Sequence, residues 1–317
     1  MIGQIVSRLR HGVPEIERRR AFDASPPLVY TVLAAVALAT AAGLLLLRFT
    51  IDPDIFLYAL WPAWLWLGGI LVKRVGHTSI GGAAEVAGLV YAGAFAFIFG
   101  ILCLTAIATS DQDAALHRAD LALGFDWRAF ADWIRPYNLT QSILTAVYRS
   151  LVWQSAAIIA LLFAAGRGQR AWRLAAAWFA SLLLCSAFYP FFPAQGPMVY
   201  FHFQEAQFPG LLSDSPWRFG PIIHAVRDQG LRHIEPVLLT GLITFPSFHV
   251  AAALILGWAA GPVRYVGPVF VVLNALMGVS AIICGPHYLV DIIAGIGAGL
   301  AGIVLSKYIV AFRIKAE

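Results

Sequence analysis

The stretch TFPSFHVAAALILGWAAG, residues 244–261, leads a proline, a serine and a histidine into a long apolar run. A second stretch, CGPHYLVD at residues 284–291, leads a histidine and an aspartate into another. Each lies where an extramembrane turn is predicted to enter a membrane span, because about 18 apolar residues are enough to cross a bilayer. His249, His287 and Asp291 are therefore expected at the same depth of a helix bundle.

The composition of the whole chain indicates a membrane protein. Of its 317 residues, 60% are hydrophobic and 12% are charged, about half the charged fraction of a soluble domain. We predict an all-α, polytopic helix bundle whose partner is the lipid bilayer. The net charge of +5 does not indicate a nucleic-acid partner, because the basic residues cluster beside the apolar runs, where they set topology. The three cysteines lie in apolar runs without metal-ligand spacing, so we predict neither a metal site nor a cofactor.

The apolar runs predict about eight spans, which we divide into three regions. Residues 1–27 form a basic tail, residues 28–82 hold two additional N-terminal spans, and residues 83–317 form a core of six helices. The core contains two long polar segments, an insert at 110–141 and a loop at 190–243. The predicted spans are about 28–48, 55–72, 83–109, 142–165, 172–189, 245–261, 265–284 and 288–306.

The distribution of lysine and arginine predicts the orientation of these spans. Short cytoplasmic loops carry an excess of Lys and Arg. With the N-terminus inside, every inner segment carries such residues; these segments are 1–27, 73–82, 166–171, 262–264 and 307–317. Both termini are then cytoplasmic, and both motif stretches open to the extracytoplasmic side. We predict a location in the inner (plasma) membrane of a bacterium, and we make no prediction of the oligomeric state.

The three candidate residues have complementary chemistry. His287 and Asp291 are four residues apart, so on a helix they would share one face and could form a hydrogen bond. A carboxylate on one ring nitrogen fixes the tautomer and makes the other nitrogen a better nucleophile or base. His249, from a different helix, would supply the complementary proton. Because an ionisable group inside a span is costly, Asp291 already indicates function.

Two signatures of a known family are similar to these stretches. P-S-x-H, followed about forty residues later by H-x-x-x-D, resembles the second and third signatures of the type-2 phosphatidic acid phosphatase superfamily, over roughly residues 140–308. The family pattern is P-S-G-H, then S-R, five residues, His, three residues and Asp. The residues that flank both motifs resemble the inositolphosphotransferase-like subgroup more than other members of the superfamily. The matching residues are Pro246, Ser247, His249, Ser280, His287 and Asp291.

The resemblance implies a mechanism without a metal. His287 would attack phosphorus and form a phosphohistidine, Asp291 would orient it, and His249 would protonate the leaving alcohol and then activate the incoming acceptor. Ser247 and the backbone N–H groups beside it would add donors at a helix N-terminus, although a helix cap alone also explains this serine.

Two positions depart from the family pattern, and one of them removes a positive charge. Phe248 stands in place of Gly, and Ala281 stands in place of the Arg that would hold phosphate. Arginine suits phosphate because its fork binds two oxygens. We take Arg227 as the first substitute, with Arg218 and Arg232 next, against the alternative that each is a solvated loop charge.

The insert carries two further features. The first signature of the family, K-x6-R-P, is similar to a pattern in the insert, where Arg128 is followed after six residues by Arg135-Pro136. Because two predicted spans separate this segment from Pro246, we interpret the match as a coincidence. Residues 120–127 are interpreted as a short amphipathic helix and turn on the surface.

Two classes of function remain open. The favoured class is an integral-membrane enzyme that acts on a lipid phosphate ester at the outer leaflet. With water as acceptor it is a phosphatase, and with an alcohol or lipid acceptor it is a phosphotransferase similar to inositol phosphorylceramide synthase. The other class is a transporter or a non-catalytic scaffold. The loss of arginine at Ala281 favours that class, and the intact His249, His287 and Asp291 argue against it.

Overall fold

The computed structural model describes residues 25–213 and 215–311. In these ranges the chain forms α-helices, short 3-10 turns and one pair of two-residue strands, so the predicted all-α bundle is confirmed. Most of the predicted basic tail, residues 1–24, lies outside the described residues. The helices are α1 Pro27–Leu46, α2 Asp54–Arg74, α3 Thr78–Ala106, α4 Asp113–Ala122, α5 Trp127–Ile134, α6 Asn138–Arg149, α7 Leu151–Ala164, α8 Gly168–Phe188, α9 Pro197–Tyr200, α10 Ser215–Arg227, α11 Phe248–Ala260, α12 Gly267–Cys284 and α13 Leu289–Ala311. The strands are β1 Thr50–Ile51 and β2 His233–Ile234, paired in parallel.

The described helices give six or seven full spans, where the sequence predicts about eight. Six helices are long and apolar enough to cross a membrane: α1, α2, α3, α8, α12 and α13. Helices α6 and α7 meet at a bend of 50° and pass the same test only as a pair. The predicted span 245–261 is the shorter helix α11, with 13 residues. At 1.5 Å per residue this helix is roughly 20 Å long, well below the ~30 Å of a hydrocarbon core.

Local chemistry explains why α6–α7 and α11 depart from the predicted spans. At the bend, the Ser150 hydroxyl bonds the carbonyl oxygen of Val147, and Gln154 donates to the same hydroxyl over 2.5 Å. A serine that bonds backward to the helix often bends it. At α11, the Ser247 side chain caps the first turn, so residues 244–247 stay outside the helix and form part of the site.

Close packing of α2 on α3 depends on glycine. A Cβ atom built on Gly88 would lie 2.3 Å from the backbone nitrogen of Trp66, which cannot move independently of its helix. We expect Gly88→Ala to push the two helices apart and lower the melting temperature of the purified protein. The matched control is Gly68→Ala on α2, where nothing lies within 4 Å of the added Cβ. That change should leave the melting temperature equal or slightly higher, because alanine favours a helix over glycine by up to about 1 kcal/mol. Equal effects of the two substitutions would refute this packing.

An extramembrane layer covers one end of the bundle. It consists of α4 and α5 from the insert and of segments from the long loop, and it packs on the connection between α12 and α13. Trp127, Phe208 and Tyr288 are fully buried in this layer, each with 0% exposure. Residues 120–127 do not form a helix of their own: residues 120–122 are the end of α4, an exposed turn follows, and Trp127 begins α5. The prediction of a surface element is wrong at its two ends, because Asp120 and Trp127 are buried.

Candidate active site

His287 lies in the connection between α12 and α13 and is only 2% exposed. Its Nδ1 is 3.0 Å from the carbonyl oxygen of Thr244, and its Nε2 is 3.1 Å from the hydroxyl oxygen of Ser247. A carbonyl oxygen can only accept, so Nδ1 carries the proton of the neutral ring. Nε2 then keeps its lone pair, which makes it the nucleophilic nitrogen of this histidine.

Burial keeps this imidazole neutral. Removal from water lowers the pKa of His287 to about 4, and the hydrogen bond to the Thr244 carbonyl opposes that change only in part. At neutral pH the ring is therefore uncharged, and its Nε2 lone pair accepts a hydrogen bond from the Ser247 hydroxyl, which must turn aside before Nε2 attacks. A histidine in this state can attack an electrophile without first losing a proton.

Asp291 is close to His287 but does not bond it directly. The distance from Asp291 Oδ2 to His287 Nδ1 is 3.7 Å, beyond a hydrogen bond. Oδ2 instead accepts the backbone N–H of Tyr288 over 2.8 Å. The predicted i, i+4 hydrogen bond does not form because α13 begins only at Leu289, which leaves His287 outside the helix. Asp291 is fully buried, and its Oδ1 has no hydrogen-bond partner among the described residues.

His249 lies on the first turn of α11 and faces a cavity. Its ring stacks on the ring of Tyr148, with centroids 4.1 Å apart and planes at 11°, and the Tyr148 hydroxyl is 3.4 Å from Nδ1. The cavity beside them has a volume of about 400 Å³. Its walls are mainly apolar and include Phe95, Ile98, Trp178, Phe219, Ile243 and Phe248. His249 thus stands between a polar centre and a space suited to hydrocarbon.

The three loop arginines predicted to replace the missing motif arginine form contacts within the loops. Arg227 donates to both oxygens of Asp228, over 2.7 and 2.9 Å, and to Asp111 over 2.7 Å. These two carboxylates raise the pKa of Arg227 and keep it charged. Arg232 donates to backbone carbonyl groups of its own loop, and Arg218 donates to the carbonyl oxygen of Val237. A role of these arginines in phosphate binding stays a prediction.

Arg128 and Arg135 lie against aromatic rings of the long loop. Arg128 stands 5.2 Å from the ring centre of Phe201, and Arg135 stands 5.6 Å from that of Phe203. Cations in this position are attracted to the face of the ring. Arg135 also pairs with Asp132 over 2.5 Å. These contacts give both arginines a structural explanation.

The structure adds residues to the site that the sequence analysis did not identify. Thr244 acts through its backbone carbonyl, for which a side-chain pattern gives no signal. Tyr148 supports His249 from α6. Asp113 and Asp120 are buried on α4, and their spacing of seven residues on one helix face was the available signal.

A family model described as PAP2 superfamily matches residues 114–305, more than half of the chain. The matched range runs from α4 into α13 and contains Ser247, His249, His287 and Asp291. No curated protein and no solved structure matches the chain.

Proposed function

Because the chain belongs to the PAP2 superfamily, we propose that it is an integral-membrane phosphoryl-transfer enzyme that hydrolyses a lipid phosphate ester. Members of this superfamily are generally phosphatases or phosphotransferases. The observation that carries the proposal is the state of His287, whose Nδ1 is held by the Thr244 carbonyl while Nε2 faces Ser247. A buried, neutral imidazole oriented in this way is prepared for attack on phosphorus.

The proposed reaction has two steps. In the first, His287 Nε2 attacks phosphorus in line with the ester oxygen, the P–O bond breaks, and His249, which enters the step as an imidazolium beside the phosphate, gives one proton to the leaving alcohol and becomes neutral. In the second, His249 takes a proton from water, the water oxygen attacks phosphorus, and the P–N bond breaks. Phosphate leaves and both histidines return to their first state.

Asp291 has an electrostatic role in this scheme. Phosphorylation at Nε2 gives the His287 ring a positive charge while Nδ1 keeps its proton. A carboxylate at 3.7 Å stabilises that charge even without a direct hydrogen bond, since little water separates the two buried groups. Ser247 is placed to donate to a phosphate oxygen, because its hydroxyl already points at the attacking nitrogen.

The apolar cavity supports a lipid as the substrate. His249, the proposed proton donor to the leaving group, forms part of its wall. A leaving alcohol that carries a hydrocarbon chain would place that chain in the cavity and its oxygen at His249. The Lys and Arg distribution supports an opening on the extracytoplasmic side.

Transfer to an alcohol acceptor is the second candidate. The observation in its favour is the burial of the reacting groups, with Ser247 at 0% and His287 at 2% exposure. A site that excludes water protects a reactive phosphoryl intermediate from hydrolysis. In this case the alcohol replaces water in the second step, and a new phosphodiester or ester forms in place of free phosphate.

Purified protein in detergent distinguishes these outcomes. We expect it to release inorganic phosphate from long-chain lipid phosphates with a higher kcat/KM than from short-chain analogues of the same head group, because only long chains fill the cavity. His287→Ala is the negative control. Loss of lipid phosphate without free phosphate, with a new product in the presence of an alcohol, would establish a transferase. Equal kcat/KM for all chain lengths would refute the lipid assignment, and no turnover would favour a non-catalytic scaffold or a transporter.

A further inference from the structure

We propose that the α4–α5 insert holds the His287 loop in its reactive geometry, with Asp120, Asp113 and Trp127 as positioning residues. The inference rests on the proposed function, since it assigns His287 the attack on phosphorus. Its basis is a row of contacts: each of the four consecutive residues from His287 to Val290 receives one contact from α4 or α5. The insert therefore contacts the chain at every residue from His287 into the first turn of α13.

Asp120 anchors the end of the loop where α13 begins. Its Oδ2 accepts the backbone N–H of Leu289 and its Oδ1 that of Val290, each over 2.9 Å. These are the first N–H groups of α13, which have no partner within the helix. A carboxylate bonded there is further stabilised by the helix dipole. Asp120 is fully buried, so the start of α13 cannot shift without breaking both bonds.

Asp113 ties the loop to a second loop. Its Oδ1 accepts from the Tyr288 hydroxyl over 2.9 Å and from the backbone N–H of Gly196 over 3.0 Å. Its Oδ2 accepts from the N–H of Gln195 over 2.9 Å. Gly196 has a φ of +93°, and a Cβ there would lie 2.5 Å from Pro286. The 195–196 turn therefore rests directly on the residue before His287.

Trp127 holds the backbone of His287 itself. Its ring Nε1 donates to the carbonyl oxygen of His287 over 3.2 Å, and the whole side chain is buried. The ring also stacks near Phe201, with centroids 6.3 Å apart and planes at 23°. The extramembrane layer thus fixes the indole of Trp127, and the indole fixes the backbone of His287.

The burial of two carboxylates needs an explanation that packing does not give. Desolvation raises the pKa of Asp113 and of Asp120, and the N–H bonds to each oppose that rise. Two apolar side chains would fill the same space without that cost. What they would lack is directional bonding to the loop. Directional bonding matters here because a nucleophile displaced by about 1 Å can lose roughly 100-fold in rate.

The test compares two aspartates of the same insert. Asp120→Ala removes both bonds to the start of α13, and we expect kcat to fall about 10- to 100-fold with KM changed less than about twofold. The matched control is Asp132→Ala. Asp132 is exposed and pairs with Arg135 over 2.5 Å, and its described bonds do not reach the His287 loop. This control should leave kcat near the wild-type value, and equal losses in both variants would overturn the proposal.

Two milder variants test the proposal in case Asp120→Ala does not fold. Asp120→Asn keeps one acceptor and should give a kcat between those of wild type and Asp120→Ala. Trp127→Phe removes the N–H that bonds His287 and part of the buried ring, and should lower kcat while the protein still elutes as the wild type does, with a lower melting temperature from the cavity. Wild-type kcat in both variants would overturn the proposal.

Amide hydrogen exchange supplies a readout that does not need turnover. In Asp120→Ala the amides of Leu289 and Val290 should exchange faster than in wild type, while those in the middle of α13 stay protected. Unchanged exchange at both amides would overturn the positioning role. If the wild-type protein turns over no substrate but exchange rises as expected, the proposed function fails and the contact stands. If His287→Ala is inactive while Asp120→Ala has wild-type kcat, the proposed function stands and the positioning role fails.

Discussion

His287→Ala is expected to lower turnover of a lipid phosphate by at least about 10³-fold, since removal of a nucleophile abolishes the covalent route and leaves only substrate positioning. Turnover is measured as phosphate release by purified protein in detergent, under conditions where the wild type is linear in time. A second readout is direct. Brief incubation with radiolabelled substrate and acid-free denaturation should leave label on the wild-type protein and none on the variant.

The matched control for this variant is His202→Asn. His202 is exposed and adopts a φ of +59°, a conformation that asparagine tolerates better than most residues. The variant His202→Asn should keep wild-type turnover and labelling, which would show that the loss of a histidine by itself does not impair the enzyme. Wild-type rates in His287→Ala would refute the assignment of the nucleophile. Label that persists on His287→Ala would place the covalent intermediate on another residue.

His249→Ala is expected to lower turnover of an alkyl lipid phosphate by about 10²- to 10⁴-fold, the usual contribution of general acid catalysis. In the first step, measured as the burst of released alcohol or phenol, the loss should be much smaller for an aryl phosphate, whose phenolate leaves without protonation. The second step should slow equally for both substrates, because it needs His249 as the base. The physical reason is that His249 contributes to the first step only by giving a proton to the leaving oxygen. The comparison therefore separates a role in proton transfer from a role in binding.

His287→Ala serves as the control for this substrate comparison. It should lose activity on the alkyl and on the aryl phosphate alike, since attack on phosphorus is needed for both. His249→Ala should show the large difference between them. The same loss in the first step on both substrates in His249→Ala would contradict the proton-donor role and would indicate that this histidine shapes the site.

The family and the architecture were accessible from the sequence, because both depend on local patterns. The apolar runs predict a membrane bundle from hydropathy alone. The family was predicted from the spacing of Pro246, Ser247, His249, His287 and Asp291, and the match over residues 114–305 confirms it. The number of spans was less accessible. A serine that bends α6–α7 and a serine cap that shortens α11 act through hydrogen bonds that hydropathy does not register.

The sequence predicts only some of the hydrogen-bond partners of the site residues. The sequence predicts a direct bond from Asp291 to His287 on one helix, whereas the helix begins after His287 and the Thr244 carbonyl takes its Nδ1. The arginine substitutes were chosen by charge and proximity in the chain. In the fold Arg227 is paired with Asp111 and Asp228, which no pattern of the sequence indicates.

The sequence by itself determined the membrane bundle, the family and the candidate site residues, because hydrophobicity and motif spacing are properties of short segments. The tertiary structure alone decided which nitrogen of His287 carries the proton, what holds its loop, and where an apolar cavity adjoins His249. Those outcomes depend on contacts such as Asp120 with Leu289 and Trp127 with His287, which join residues more than 150 positions apart. Such pairs form only when the insert closes over the bundle, and a backbone carbonyl or a buried cavity has no signature of its own in the chain.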